Sequence, residues 1–437
     1  MQQTKAELYK RNFTLLVLEG SLFMAGTGFI NSSTVIPVFI DTITHSKQLV
    51  GLTLTIGSFF TYFTRLIIGP FIPHMKNHAR YSAIVMFICR PMSLLPVFFV
   101  FTHHYYGAVI ALIVSYAFLW AGDGFIYPAW SEVMANTIDE ERHGRMLGLQ
   151  MLIGGVAAIG SGLMINYFLA NPNIDIKTAF GWIFLFGGVL LAASCFMMAF
   201  AENAPEPYAP KKVSFREYYK GLPKVFMSEK DNTRMMIVQL LMIVGAMSIP
   251  YVILFGNDRL NLPKSASALM ILAQTIGTPI GGWFWGQVCD RLGSETGVRL
   301  AGVNLILISL LPLIALLPLG VNPLVILLPA MFFCGVNGGI WTCNYIYTVQ
   351  VVRPESRSSC LVLASLISMP GSFSSYIAGF IADKFGYTAL FCICIAIAVA
   401  GILLAFTIRP VKVVVAERKL QDEARLKAQQ QNAHSTD

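Results

Sequence analysis

The chain has 437 residues, of which 55% are apolar and 12% charged, with a formal net charge of +8. A soluble chain of this length would carry roughly a quarter charged residues to cover its surface. Composition therefore excludes a soluble globular protein and points to an integral membrane protein. The basic excess does not call for nucleic acid as a partner, because it gathers in the connections between apolar stretches.

Twelve apolar spans fall roughly at 12–39, 50–72, 81–101, 107–134, 145–169, 180–201, 235–256, 266–288, 298–318, 323–350, 360–382 and 387–408. Each approaches the ~20 residues needed to cross a hydrocarbon core about 30 Å thick. The expected fold class is an all-α membrane protein with twelve transmembrane helices. The first span follows the basic leader Lys5, Lys10 and Arg11 and runs past Val35 with no cleavage site. It is expected to be retained rather than removed as a signal peptide.

Asn171-Pro172-Asn173 and Gly320-Val321-Asn322-Pro323 are tight connections. One connection is long and polar, from Glu202 to Thr233, with Lys211, Lys212, Arg216, Lys220, Lys224 and Lys230. It divides the chain into an N-terminal unit at 1–201, a central loop at 202–233, a C-terminal unit at 234–410 and a tail at 411–437.

With both termini cytoplasmic, only Lys47, Lys177, Arg259, Lys264 and Lys384 of the 31 Lys and Arg residues fall outside, while Arg65 and Arg90 lie within spans. That bias sets the expected orientation in the plasma (inner) membrane. Seven of the eight cysteines fall in spans, and Cys289 lies at a helix end. With no histidine near Cys392-Ile393-Cys394 all eight read as core residues, and no metal site is expected.

Tyr116 to Arg145 places Asp123 inside an apolar helix, with Trp120, Tyr127 and Trp130 on its face at helical spacing. The other charges within N-terminal spans are Glu19, Arg65 and Arg90, while the C-terminal spans read as free of buried charge. Each such charge costs about 2.5–3.5 kcal/mol at mid-membrane, so pairing is expected. At about 1.5 Å per residue, Glu19 and Arg65 lie roughly 10 Å deep and Asp123 and Arg90 roughly 15 Å deep. Equal depth predicts the pairs Glu19–Arg65 and Asp123–Arg90. Such pairs are either static or carry a proton when the partner swings away. Asp123 is the favoured proton carrier because Gly122, Gly124 and Pro128 loosen its helix, with Glu19 second.

A shift of 214 positions lays Asp123 on Asn337, Tyr127 on Trp341 and Trp130 on Asn344, the pattern of a parallel internal repeat. Between spans eight and nine stands Gly286-Gln287-Val288-Cys289-Asp290-Arg291-Leu292-Gly293. This string resembles the Gly-x-x-x-Asp-Arg/Lys-x-Gly loop motif of the major facilitator superfamily. Together with twelve spans and a long central loop, the chain looks like a bacterial-type permease of that superfamily. The equivalent loop after span two, Gly69-Pro70-Phe71-Ile72-Pro73-His74-Met75-Lys76, is degenerate. Gly379-Phe380-Ile381-Ala382-Asp383-Lys384-Phe385-Gly386 falls on the outer side and reads as a helix end. Span four lacks the family's arginine and span five the exporter proline, so import and export both stay open.

The resemblance implies two pseudo-symmetric six-helix bundles around a central cavity lined by spans one, four, seven and ten. That cavity would display Glu19, Phe23, Thr27 and Asn31, then Trp120, Asp123 and Tyr127, then Gln239 and Met242, then Asn337, Trp341, Asn344 and Tyr345. Gly286, Asp290, Arg291 and Gly293, with Arg142 and Arg357, would form a cytoplasmic gate.

The implied activity is secondary active transport of a small organic solute, amphipathic or cationic, coupled to protons. The expected partners are that solute, protons and the lipid bilayer, with the chain acting as a monomer. No cofactor, catalytic residue or enzyme activity is expected. ATP hydrolysis would need a Gly-x-x-x-x-Gly-Lys-Ser/Thr loop, which the sequence lacks. Two alternatives are a lipid or lipid-linked flippase of the same fold and a sensor that binds without translocating. A sensor would call for a long signalling domain, and the stretch beyond Pro410 is under 30 residues.

Overall fold

The computed structural model describes residues 5–72, 75–138, 140–203, 215–352, 354–418 and 420. Every regular element among them is helical. In chain order these are α1 (Lys5–Phe29), α2 (Val35–Thr44), α3 (Lys47–Ile68), α4 (His78–Cys89), α5 (Leu95–Phe101), α6 (Tyr105–Thr137), α7 (Glu140–Ala170), α8 (Ile176–Ala199) and α9 (Phe215–Ser228). There follow α10 (Lys230–Gly245), α11 (Ile249–Arg259), α12 (Lys264–Leu292), α13 (Ser294–Ile314), α14 (Leu324–Asn337), α15 (Trp341–Val351), α16 (Pro354–Ser368), α17 (Ser374–Lys384) and α18 (Gly386–Ala405).

Nine stretches among the described residues are long and apolar enough to cross a membrane, against the twelve expected. The stretches that fall short are α1, α12 and the α16–α17 pair. Glu19 and the basic leader dilute α1, and glycine, threonine and glutamine dilute α12.

Several spans expected as single helices are broken. Pro91 starts a 3-10 turn at Arg90–Leu94, Pro250 follows the turn Ala246–Ser248, and α14 gives way to α15 at Gly338-Gly339-Ile340. Proline removes a helical donor and clashes with the preceding turn, so a break there is its direct consequence. The central connection also differs from a plain loop. It contains α9, whose Tyr219 hydroxyl donates to the Leu66 carbonyl of α3.

The helices pack in two groups. In the first, α1 lies against α7 and α8, α3 against α6, and α4 against α6 and α8. In the second, α12 lies against α14, and α13 and α10 against α18. Between the groups α3 runs along α16 and α17, and α7 along α12. The start of α1 and the end of α18 mark one face of the molecule, here the termini face, and the start of α3 marks the far face. Arg11 pairs with Glu202 at 2.8 Å on the termini face, where Arg409 also holds Asp231 at 3.1 Å.

At the far face the two groups are closed on one another. Lys47 pairs with Asp258 at 2.9 Å, and the Tyr387 hydroxyl donates to the same carboxylate at 2.6 Å. The Gln48 backbone N–H donates to Asp383 at 2.9 Å, and the Thr55 hydroxyl donates to the Ser372 carbonyl at 2.9 Å. A β-carbon at Gly51 would run into the Ser375 carbonyl, so only glycine lets α3 approach α17 this closely.

Gly51→Val together with Lys47→Met is therefore expected to part the far face. In a Cys392→Ser background, which removes the exposed native thiol, maleimide labelling of Ser375→Cys should speed up about threefold to tenfold. Losing the half-buried ion pair alone accounts for about 1 kcal/mol of that shift. Unchanged labelling would show that these contacts do not hold the face shut.

The motif expected as a loop forms the last turns of α12 and its cap, and it is only partly as expected. Gly293 has φ +92°, a conformation strained for any side chain. Gly286, by contrast, meets nothing within 4 Å where a β-carbon would stand, so it is not there for close helix approach. Gly293→Ala should cost about 1–3 kcal/mol of stability in detergent. Gly286→Ala should be neutral or slightly stabilising, since alanine is the better helix former by up to about 1 kcal/mol. Thermal unfolding of the two variants side by side checks the contrast.

Candidate functional site

The charges within the N-terminal group do pair, but not as depth predicts. Arg90 meets Glu19 at 2.7 Å, and Arg65 meets Asp123 at 3.2 Å. The reason is lateral: α3 packs on α6, which brings Arg65 to Asp123, while Arg90 follows α4 toward α8 and α1. Depth along the membrane normal says nothing about which helices are neighbours.

The two pairs live in different surroundings. Side-chain exposure is 5% and 4% for Arg90 and Glu19, against 26% and 21% for Arg65 and Asp123. Glu19 also accepts from the Trp130 indole at 3.1 Å, and Arg90 donates to the Ser194 hydroxyl while its guanidinium lies 4.6 Å from the Phe23 ring centre. No side-chain atom of this cluster is among those buried without a hydrogen-bond partner. Trp130, placed on Asp123's face by spacing, thus serves Glu19.

Arg65 is held more loosely. One nitrogen, Nη2, reaches Asp123, the guanidinium stacks 4.6 Å from the Tyr127 ring centre, and Nε is buried with no hydrogen-bond partner. Arg65 lines a cavity of about 340 Å³ between the two helix groups, with Ser32, Leu54, Ser58, Thr61, Tyr62, Tyr116, Trp120, Pro250 and Ser375. Its volume is within the usual range for small-molecule sites. Arg65 supplies the charge on this wall; Asp123 and Glu19, both expected on it, are not among the lining residues, Asp123 being held by Arg65 and Glu19 by Arg90.

Of the residues expected in the cavity, Trp120 lines it and Tyr127 backs Arg65. Others are engaged elsewhere. Phe23 packs on Arg90 within the first group, and Met242 is buried against Gly302 and Gly401. Asn31 accepts from the Ser33 amide and the Thr34 hydroxyl in the turn before α2. Thr27 donates to the Phe23 carbonyl, and Asn337 accepts from Asn304 at 3.4 Å within the second group. Gln239 is half-buried, and Asn344 keeps a buried Oδ1 with no partner. Trp341 and Tyr345 are exposed, their ring centres 6.2 Å apart.

Asp290 and Arg291 are exposed, with no ion pair between them among the described residues. The side chains of Arg142 and Arg357 lie outside the described residues. Glu295, in the first turn of α13 and 7% exposed, is a buried charge just before the span expected at 298–318. Cys392 is exposed and the other seven cysteines are buried, so the expectation of eight core thiols fails at that position.

Sequence reasoning missed Ser32, Ser58, Tyr62 and Ser375 as cavity residues, because nothing in a lone hydroxyl marks which face of a span meets the opposite bundle. It also passed over Lys47 and Asp258. The signal was there: Lys47 is one of the few bases on the sparsely basic side.

Solved structures share this architecture. A variant of the nucleoside transporter NupG matches with a TM-score of 0.67 at 12% identity, covering 92% of this chain and 99% of that one. A POT family transporter in complex with 5-aminolevulinic acid matches with a TM-score of 0.65 at 13% identity, covering 91% and 95%. A bacterial homologue of the human lysosomal transporter Spinster, inward-facing and unoccupied, matches with a TM-score of 0.57 at 15% identity, covering 96% and 98%. The family model of the Major Facilitator Superfamily matches residues 19–375. With that match over most of the chain and two helix groups enclosing a cavity, the protein belongs to the major facilitator superfamily, and it is a membrane transporter rather than an enzyme.

Proposed function

We propose that this protein is a secondary active transporter of a small organic solute, working by alternating access with protons as the coupling ion. The units at 1–201 and 234–410 are the two rocking bodies, joined by 202–233 and followed by the tail at 411–437. The chain sits in the plasma membrane as a monomer with the termini face toward the cytoplasm, the side favoured by its lysines and arginines.

The observation that carries the reading is the Arg65–Asp123 pair at the wall of a cavity between the two groups. A half-buried pair beside a cavity can open when either partner finds a better one, whereas the almost fully buried Glu19–Arg90 pair, with Trp130 and Ser194 bonded to it, cannot open cheaply. Glu19 is accordingly a structural anchor, and Asp123 the proton carrier. The closed far face supports assigning this conformation to the state open toward the cytoplasm.

Purified protein in proteoliposomes tests the reading. Solutes that raise its thermal stability, as binding to the folded state does by mass action, should accumulate when a pH gradient is imposed. Accumulation that ignores the gradient would remove proton coupling, and binding without any accumulation would remove transport.

A flippase has one observation in its favour. An apolar pocket of about 300 Å³ is lined by Trp283, Phe284, Leu300, Val303 and Phe332 in the second group. It lies apart from the charged cavity, which a lipid headgroup would need, so the solute transporter is the better reading.

A further inference from the structure

The cavity wall carries a cation in want of an acceptor. Arg65 offers Asp123 one nitrogen, and its Nε is buried without a hydrogen bond. The Trp120 indole N–H on the same wall also lacks a well-formed hydrogen bond, the Tyr116 hydroxyl being the group beside it. Both groups are donors only. A cationic solute would meet Arg65 before Asp123, and a neutral one would leave the guanidinium no better satisfied. Resting on the transporter reading above, we propose that the solute is a small organic monocarboxylate whose oxyanion binds Arg65 and the Trp120 indole, displacing Asp123, which then takes up one proton.

Guanidinium and carboxylate match as planar two-pronged partners, a geometry that the single Asp123 contact leaves unused. Charge also balances. Before binding, Arg65 and Asp123 sum to zero. Two like charges brought together at a half-buried site disfavour one another, so the anion that displaces Asp123 from Arg65 brings one proton from solvent with it. Asp123 becomes a neutral acid, Arg65 stays charged, and the sum is again zero. Transport is therefore electroneutral, one proton per anion.

Asp123 on α6 has charged and titratable company on the helices packed against it. These are Arg65 and Tyr62 on α3, Cys89 at the end of α4 and Arg90 in the turn after it, Glu19 on α1, and Tyr345 near Tyr127. Arg90 and Glu19 are closed on each other. That leaves Asp123 as the group free to exchange its partner for a proton.

The test compares probes of one size and three charges: benzoate, benzamide and benzylammonium, with phenylacetate and indole-3-acetate as larger carboxylates. Carboxylates alone should stabilise the purified protein against heat, and their affinity should weaken about tenfold per unit of rising pH, one proton being bound with each anion. Asp123→Asn should keep carboxylate binding and flatten that pH dependence. Arg65→Gln should lose binding at least tenfold, with Arg65→Lys recovering part of it. Stabilisation by benzamide or benzylammonium as strong as by benzoate, by no carboxylate, or with the same pH slope in Asp123→Asn overturns the proposal. Accumulation of a neutral or cationic probe in proteoliposomes would overturn the anion site while leaving transport standing. Carboxylate binding without accumulation would do the reverse.

Discussion

Asp123→Asn is expected to abolish accumulation driven by a pH gradient while leaving the protein folded and able to exchange solute across the membrane. Coupling one proton to one solute lets each unit of pH gradient hold about a tenfold concentration ratio, about 1.4 kcal/mol. An amide cannot carry that proton, so the ratio should fall to about one. Exchange of labelled for unlabelled solute needs no net proton movement and should continue. The amide keeps the shape of the acid and can still accept from Arg65, and the site is half-exposed, so loss of folding is not the expected cause. Gradient-driven accumulation unchanged in this variant would move the coupling site elsewhere, with Glu19 the next candidate.

Breaking the other pair should act on stability. Glu19→Gln or Arg90→Met alone leaves one uncompensated charge in a cluster about 5% exposed, at an expected cost of about 3–5 kcal/mol. The double variant removes both charges. It should recover much of that loss, because an apolar replacement of a buried ion pair is often close to neutral. Thermal unfolding in detergent across the four proteins gives the coupling energy. A double variant as unstable as the worse single one would mean that Trp130, Ser194 and Phe23 need these side chains for more than charge.

The two experiments separate what the two pairs do. Both are acid–base pairs within the same group of helices; the four charges are legible in the sequence, but depth matches each acid with the other's base. They differ in the company they keep. Glu19 has Arg90 and Trp130, and Arg90 has Ser194 and Phe23 as well. Arg65 has one carboxylate contact, one aromatic face and a cavity beside it.

Membrane class, the helical fold, the family and the presence of charges in the N-terminal spans were all set by local sequence. They follow from where charge is absent over a bilayer's width and from a short loop motif, both read one stretch at a time. Helix breaks were half-legible: Pro91, Pro250 and Pro370 mark them, but the turn at Gly338 carries no proline. Pairing, cavity and gate were decided only by tertiary structure. Arg65 belongs to Asp123 because α3 packs on α6, Ser375 lines the cavity because α17 crosses α3, and Lys47 meets Asp258 from the opposite group. A hydropathy pattern fixes how deep a residue sits in the membrane. Which neighbour it meets at that depth is set by helix packing around the bundle, and periodicity along one helix does not encode it.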